Sequence, residues 1–110
     1  MKAAGDNWRD ALSRFLSEMK AIYGSRLDCV VLYGSRARGD AEAMSDVDTL
    51  IVLDVLGDFW AEFNRISPIA SRLSLEHDVV ISALPVDKRA FAERSTPLFM
   101  NARREGTRVA

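Results

Sequence analysis

A chain of 110 residues, 48% hydrophobic and 28% charged, has the make-up of one soluble globular domain spanning residues 1–110 and leaves little room for a second. No apolar run approaches the roughly 20 residues that cross a bilayer and no apolar signal stretch opens the chain, so a cytoplasmic address with no membrane partner is expected. The net charge of −1 conceals five basic and three acidic residues over 1–26, four and ten over 27–85, and six and three over 86–110; an acidic centre argues against electrostatic binding of nucleic acid, so no direct DNA binding is expected, and it suits a cation site better.

Apolar residues at Trp8, Ala11, Leu12, Phe15, Leu16, Met19, Ile22 and Tyr23 repeat at the i, i+3, i+4, i+7 spacing of a helix that buries one face. Asp6 or Asn7 can cap it and Gly24 can stop it. The run Asp28 to Tyr33 is short, apolar and β-branched and ends at Gly34-Ser35, which predicts a buried strand entering a tight turn. Cys29, the only cysteine, lies inside that run and reads as a small buried hydrophobe, with no disulfide or cysteine zinc cluster available to the chain. Asp46 to Leu53 predicts a second strand, polar at its start and buried at its end. Asp28, Glu42, Asp58 and Glu62 read as solvated charges that keep the domain soluble.

Phe59, Trp60, Phe63, Ile66, Ile69, Ala70 and Leu73 follow a helical pattern with their aromatic rings in the core, although Pro68 removes an N–H and is expected to kink or split that helix, which leaves two helical pieces and one equally open. A third strand is predicted over Asp78 to Ala83, ending at Pro85. Asp87 then caps a short helix through Glu93, Thr96-Pro97 starts another that Gly106 ends, and a brief fourth strand can follow at Thr107 to Val109. The fold class is α/β (α+β), a small mixed sheet of three to four strands flanked by helices.

The chemistry concentrates between Gly34 and Asp48. Gly34 and Ser35 directly follow a strand, so backbone N–H groups and the Ser35 hydroxyl can point at an anion such as phosphate. Asp46 and Asp48 are two apart on a predicted strand and share one face of the sheet. Two carboxylates about 4 Å apart repel by on the order of 4 kcal/mol at an effective dielectric near 20, so either a cation or a proton sits between them. With no His or Cys beside them the donor set is all oxygen, which favours a hard ion such as Mg²⁺ or Mn²⁺. Asp78, at the start of another predicted strand, can supply a third carboxylate, with Glu76 of the same parity as the alternative.

Gly34-Ser35-Arg36-Ala37-Arg38-Gly39 followed by Ser45-Asp46-Val47-Asp48 resembles the signature of the nucleotidyltransferase superfamily that includes DNA polymerase beta, and most of all its minimal nucleotidyltransferase (MNT) branch. The resemblance implies the nucleotidyltransferase fold and a transfer of nucleoside monophosphate from ATP to a hydroxyl. Gly34 and Ser35 would hold the β- and γ-phosphates, Arg36 or Arg38 would add charge-assisted contacts, and Asp46 and Asp48 would bind two Mg²⁺ ions. Asp78 would complete the site of the ion that activates the acceptor. Thr49 departs from the aliphatic residue commoner there but faces away from the carboxylates.

Small stand-alone MNT proteins of this kind pair with a helical HEPN ribonuclease toxin, which they adenylylate on a tyrosine as antitoxin, so a HEPN-type partner in a hetero-oligomer is expected. Two rivals remain: neutralisation by contact alone, and transfer to a small molecule such as an aminoglycoside. The basic residues Arg94, Arg103, Arg104 and Arg108 can meet a partner or simply solvate a helix, His77 has no required role in attack by a metal-activated hydroxyl, and Tyr33 can pack beneath the phosphate turn.

Overall fold

The structure, a computed structural model, describes residues 7–110; the Asp6 cap therefore lies outside the described residues. Helix α1 spans Asn7–Tyr23 and buries the predicted stripe at Trp8, Ala11, Leu12, Phe15, Met19 and Tyr23. A turn of 3₁₀ helix at Gly24–Arg26 feeds strand β1, Leu27–Tyr33. Helix α2, Ser35–Arg38, is a single turn, and β2 covers Val47–Leu53. Helix α3 runs Phe59–His77, β3 Ile81–Asp87, α4 Lys88–Glu93, α5 Pro97–Glu105 and β4 Thr107–Arg108. Among the described residues no helix is long and apolar enough to cross a membrane.

The sheet has the order β3-β2-β1-β4, with β1 antiparallel to both β2 and β4 and β2 parallel to β3. Alternation along the strands sends Val30, Leu32, Val47, Ile51, Leu53 and Ile81 into one core with α1 and α3, and Cys29, Val31, Leu50, Val52 and Val86 into a second under α4 and α5. Helices thus cover both faces of a mixed sheet, as the element order predicts. The expected caps of the later helices are present: Asp87 accepts from the amides of Arg89 and Ala90, and the Thr96 hydroxyl from that of Phe99.

One point left open is decided, and three expectations need correction. Pro68 does not divide α3, which continues through His77; its Ile66, Ala70 and Leu73 are buried on both sides of the proline, and this packing outweighs the one backbone bond that proline forfeits. The third strand begins at Ile81 and includes Pro85. Because β3 is an edge strand and the Val80 carbonyl already accepts from Val47, residues of the other parity face outward, and the missing proline N–H costs no ladder bond. Asp78 therefore does not open a strand; it is the left-handed C-cap of α3, with φ 53° and ψ 46° and its amide bonded to the Ser74 carbonyl.

The last correction exchanges two residues of α3. Trp60 is 66% exposed rather than in the core, whereas Glu62 is only 4% exposed. Arg26 Nη2 lies 3.2 Å and Arg65 Nη2 3.6 Å from its carboxylate oxygens, so a residue read as a solvated charge is a buried acid clothed by two cations. Asp58, another of that group, is the N-cap of α3, accepting from the amides of Trp60 and Ala61.

Candidate active site

The C-terminal end of β1 and the N-terminal ends of β2 and β3 meet at one end of the sheet, since β1 is antiparallel and β3 parallel to β2. Tyr33 is the register partner of Asp48 on one side, and Ser82 on the other. Gly34 leaves β1 with φ 75° and ψ −157°, a conformation open to glycine and strained for any other residue. A Cβ there would also lie 2.6 Å from Asp48 Oδ2. Backbone shape and the neighbouring carboxylate independently require glycine at this position.

The chain then wraps into α2. The amides of Ala37 and Arg38 donate to the Gly34 carbonyl, each at 3.1 Å, and Gly39, at φ 83°, closes the turn with its amide on the Ser35 carbonyl. The first N–H groups of such a turn have no partner within it and point away from the helix. Ser35 is half-buried at this mouth.

The two arginines have partners within the protein. Arg36 Nη2 donates to the carbonyls of Ala43 at 3.3 Å and Ser45 at 3.2 Å, and its guanidinium lies 5.0 Å from the centre of the Trp8 ring. It clamps the loop that delivers Asp46, a role that the sequence conceals because Trp8 lies 28 positions away. Arg38 donates from Nε to Asp40 at 3.1 Å and from Nη1 to Glu105 at 3.5 Å. Within the loop, the Glu42 amide donates to Ser45 Oγ at 2.9 Å and the Ser45 amide returns to the Glu42 carbonyl at 3.0 Å. The strand after it is anchored by Thr49, buried completely, whose hydroxyl donates to the Ser82 carbonyl at 3.0 Å.

Asp46 is exposed just before β2 and Asp48 half-buried within it. Burial first, and then the charge of Asp46, push the Asp48 carboxyl above its ordinary value; burial and then Asp48 push the Tyr33 phenol up in turn. Among the described residues neither Asp46 nor Asp48 is in an ion pair with Lys or Arg. A close acidic pair without a countercharge is the donor set that Mg²⁺ takes when it binds through one or two carboxylates and fills its remaining positions from phosphate and water. The pair thus fits the ion that its chemistry calls for.

The structure does not gather a third carboxylate tightly around this pair: among the described residues no three His, Cys, Asp or Glu converge to hold a metal. Ser82 occupies the β3 position beside Asp48. Asp78 lines a small cavity of about 90 Å³ with Ala43, Met44, Ser45, Val79 and Val80, at the same end of the sheet. Glu76, the alternative, pairs with Arg72 on α3 at 3.6 Å. His77 is held by its Nδ1 against the Leu73 carbonyl at 3.0 Å. A larger cleft of about 320 Å³ lies between α3 and β3, with Asp46 at its rim and Phe63, Ser67, Ser71, Ser82 and Ala83 among its walls. The sequence signal for this cleft is the charge-free series Phe63, Ser67, Ser71 at four-residue spacing on α3.

A family model described as "Nucleotidyltransferase domain" matches residues 12–97. A protein of Methanocaldococcus jannaschii named "Putative protein adenylyltransferase" is 33% identical over 88 residues, which span 80% of this chain and 82% of that protein. The crystal structure of a nucleotidyltransferase from Sulfolobus solfataricus, itself titled "putative", superposes with a TM-score of 0.69 at 16% identity, over 98% of this chain and 87% of that one. A structure titled "toxin-antitoxin with AMP-PNP" superposes with a TM-score of 0.61 at 18% identity, over 88% and 71%. At those identities the two solved structures speak for the fold.

Proposed function

Because this chain belongs to the nucleotidyltransferase domain family, we propose that it transfers AMP from Mg-ATP to a tyrosine hydroxyl of a partner protein, and that the partner is a HEPN-type ribonuclease toxin held inactive as a result. The observation that carries the reading is Asp48 set against the Gly34 turn, with the charge of Asp46 acting on it and no ion-pair partner for either among the described residues. The M. jannaschii relative named as a protein adenylyltransferase supports a protein acceptor, and the toxin-antitoxin neighbour with AMP-PNP supports an adenine nucleotide and a toxin partner.

In this reading the amides at the mouth of α2 and the Ser35 hydroxyl hold the β- and γ-phosphates. Arg36 positions the loop, and Arg38, at the end of α2 and paired with Asp40 and Glu105, would add a charge-assisted contact to the phosphates. Asp46 and Asp48 would hold Mg²⁺, with Asp78 as the outlying third carboxylate. Bound there, Mg²⁺ would supply charge neutralisation at the α-phosphate and acidify the acceptor hydroxyl. The acceptor oxygen forms a bond to the α-phosphorus as the bridging P–O bond to the β-phosphate breaks; the hydroxyl proton passes to water and pyrophosphate leaves.

Incubation with Mg²⁺, α-labelled ATP and the product of the neighbouring gene tests the proposal, and label on that product with release of pyrophosphate is expected. Asp46→Ala and Asp48→Ala should abolish both labelling and neutralisation. Full neutralisation by these variants would overturn the catalytic reading in favour of contact alone, and labelling of an aminoglycoside but of no protein would replace the acceptor.

A further inference from the structure

Resting on the function just proposed, we infer that Ser82 is a further ligand of the Mg²⁺ site, its hydroxyl holding the place on β3 where a third carboxylate would make the ion a resident one. The consequence is a site that takes its cation together with the nucleotide rather than before it.

The placement follows from the pleat of the sheet. Asp48 has Tyr33 as its register partner on β1 and Ser82 on β3, so the three form one row across the strands. Side chains of one parity share a face, and the next row of that parity is Val31, Leu50 and Leu84, which pack into the apolar core under α4 and α5. The row of Asp48 is therefore where this face changes from apolar to polar. Along β3 the residues of that face are Ser82, Leu84 and Val86, and of their side chains only that of Ser82 offers a cation an oxygen. Asp78, in the left-handed cap of α3, lies outside the strand and outside the row.

The backbone at Ser82 is braced from within the protein. The Val47 amide donates to the Val80 carbonyl at 2.8 Å, and the Thr49 hydroxyl donates to the Ser82 carbonyl at 3.0 Å. Thr49 is completely buried, and a buried hydroxyl requires a partner; its bond falls on the residue that stands beside Asp48. The Ser82 side chain itself is exposed. A free donor on a fixed strand is the form that a preorganised ligand takes.

Charge then decides how such a site fills. Asp46 and Asp48 bring two carboxylates, and Ser82 brings a neutral oxygen. Mg²⁺ dehydrates reluctantly, and where a protein offers it one or two carboxylates it draws its remaining ligands from substrate phosphate and water. A serine hydroxyl serves as a Mg²⁺ ligand in phosphoryl-transfer sites of that kind, where the phosphates supply the missing charge. An aspartate in the place of Ser82 would supply it from the protein instead.

The test is calorimetry on the intact chain with Mn²⁺ as the probe, added alone and as its complex with α,β-methylene-ATP, which cannot release pyrophosphate. Wild type should bind Mn²⁺ alone only in the millimolar range and the nucleotide complex far more tightly. Ser82→Asp should tighten binding of Mn²⁺ alone by at least about tenfold, because affinity for a divalent cation rises with the charge of its ligands. Ser82→Ala should weaken binding of the complex by about tenfold, with the affinity for metal-free nucleotide as in wild type. Ser82→Cys should show the same loss with Mn²⁺ and recover when Cd²⁺, a softer ion suited to a thiolate, replaces it. Tight binding of Mn²⁺ by the nucleotide-free wild type, no gain in Ser82→Asp, undiminished binding of the complex by Ser82→Ala, or no recovery of Ser82→Cys with Cd²⁺ would each overturn the assignment of Ser82. Failure of the wild type to bind the nucleotide complex at all would overturn the transferase reading itself.

Discussion

The two ends of β1 treat acidic side chains in opposite ways. Beyond its N-terminal end, Glu62 is buried with Arg26 and Arg65 drawn onto its carboxylate and the Tyr23 ring beneath both guanidinium groups, and burial, then the charge of Glu62, push the Tyr23 phenol up to about 12. At the C-terminal end, Asp46 and Asp48 have no such ion-pair partners among the described residues, and burial, then the charge of Asp46, raise the Asp48 carboxyl. One acid is neutralised by the fold and stabilises it. The other two leave their neutralisation to something that arrives, which is the mark of a site rather than of a scaffold.

The sharpest way to break this contrast is at the unpaired end. Asp48→Asn or Asp46→Asn should lower AMP transfer by at least about 10²-fold, as loss of a principal electrostatic contact to the transition state does, while the fold persists by circular dichroism. Gly34→Ala should approach the same loss without touching a carboxylate, since its methyl would displace Asp48 Oδ2 and its φ of 75° is strained. Kinetics at saturating Mg-ATP would register both.

At the paired end the expected effect is on stability. Arg26→Leu leaves the buried Glu62 with one cation; because Arg26 is itself about half-exposed, the penalty is set below that of a fully buried pair, at about 2 kcal/mol. Glu62→Leu should cost less, because it removes the buried charge along with its need for partners. Urea denaturation of the two variants checks the order, and a larger penalty for Glu62→Leu would contradict this view of the cluster.

Smaller effects follow pH. The Asp48 carboxyl is raised above 3.8 in the folded chain, so its contribution favours the fold below that value and is lost as pH rises through the raised one. The metal-free protein should therefore gain a few degrees in Tm on Asp48→Asn at neutral pH, while transfer by the wild type should rise with pH across the same acidic window. Asp87 has the opposite sign: the amides of Leu56, Ala90 and Arg89 hold its carboxyl below the usual range, so its contribution is present above the unfolded value and lost as pH falls through the lowered one. Asp87→Ala should reduce Tm slightly at pH 7 and hardly at all at pH 2.

What the sequence made legible is what is local. The stripe of α1, the abrupt end of β1 at Gly34 and the caps at Asp87 and Thr96 depend on neighbours within a few residues, and all stand where periodicity and turn chemistry put them. What the sequence left open or misread depended mostly on distant partners. Pro68 is tolerated because of what α3 packs against, Pro85 because β3 lies at an edge, and Glu62 is buried because Arg26 and Arg65 reach it. Asp78 was displaced from its strand by a left-handed cap that a histidine-aspartate sequence does not announce, and Arg36 proved to be a clamp on the loop because Trp8 lies beneath it.

The proline in β3 has a consequence for the life of this molecule among copies of itself. An open strand edge is a template on which further strands can add without limit, and sheets that expose one are prone to polymerise. Pro85 withholds a donor midway along that edge, so a second chain aligning there would lose its ladder after two or three residues. The only stretch of β3 left able to pair is the short one from Ile81 to Leu84, beside the carboxylates, where contact is reserved for a visitor that stops after one step.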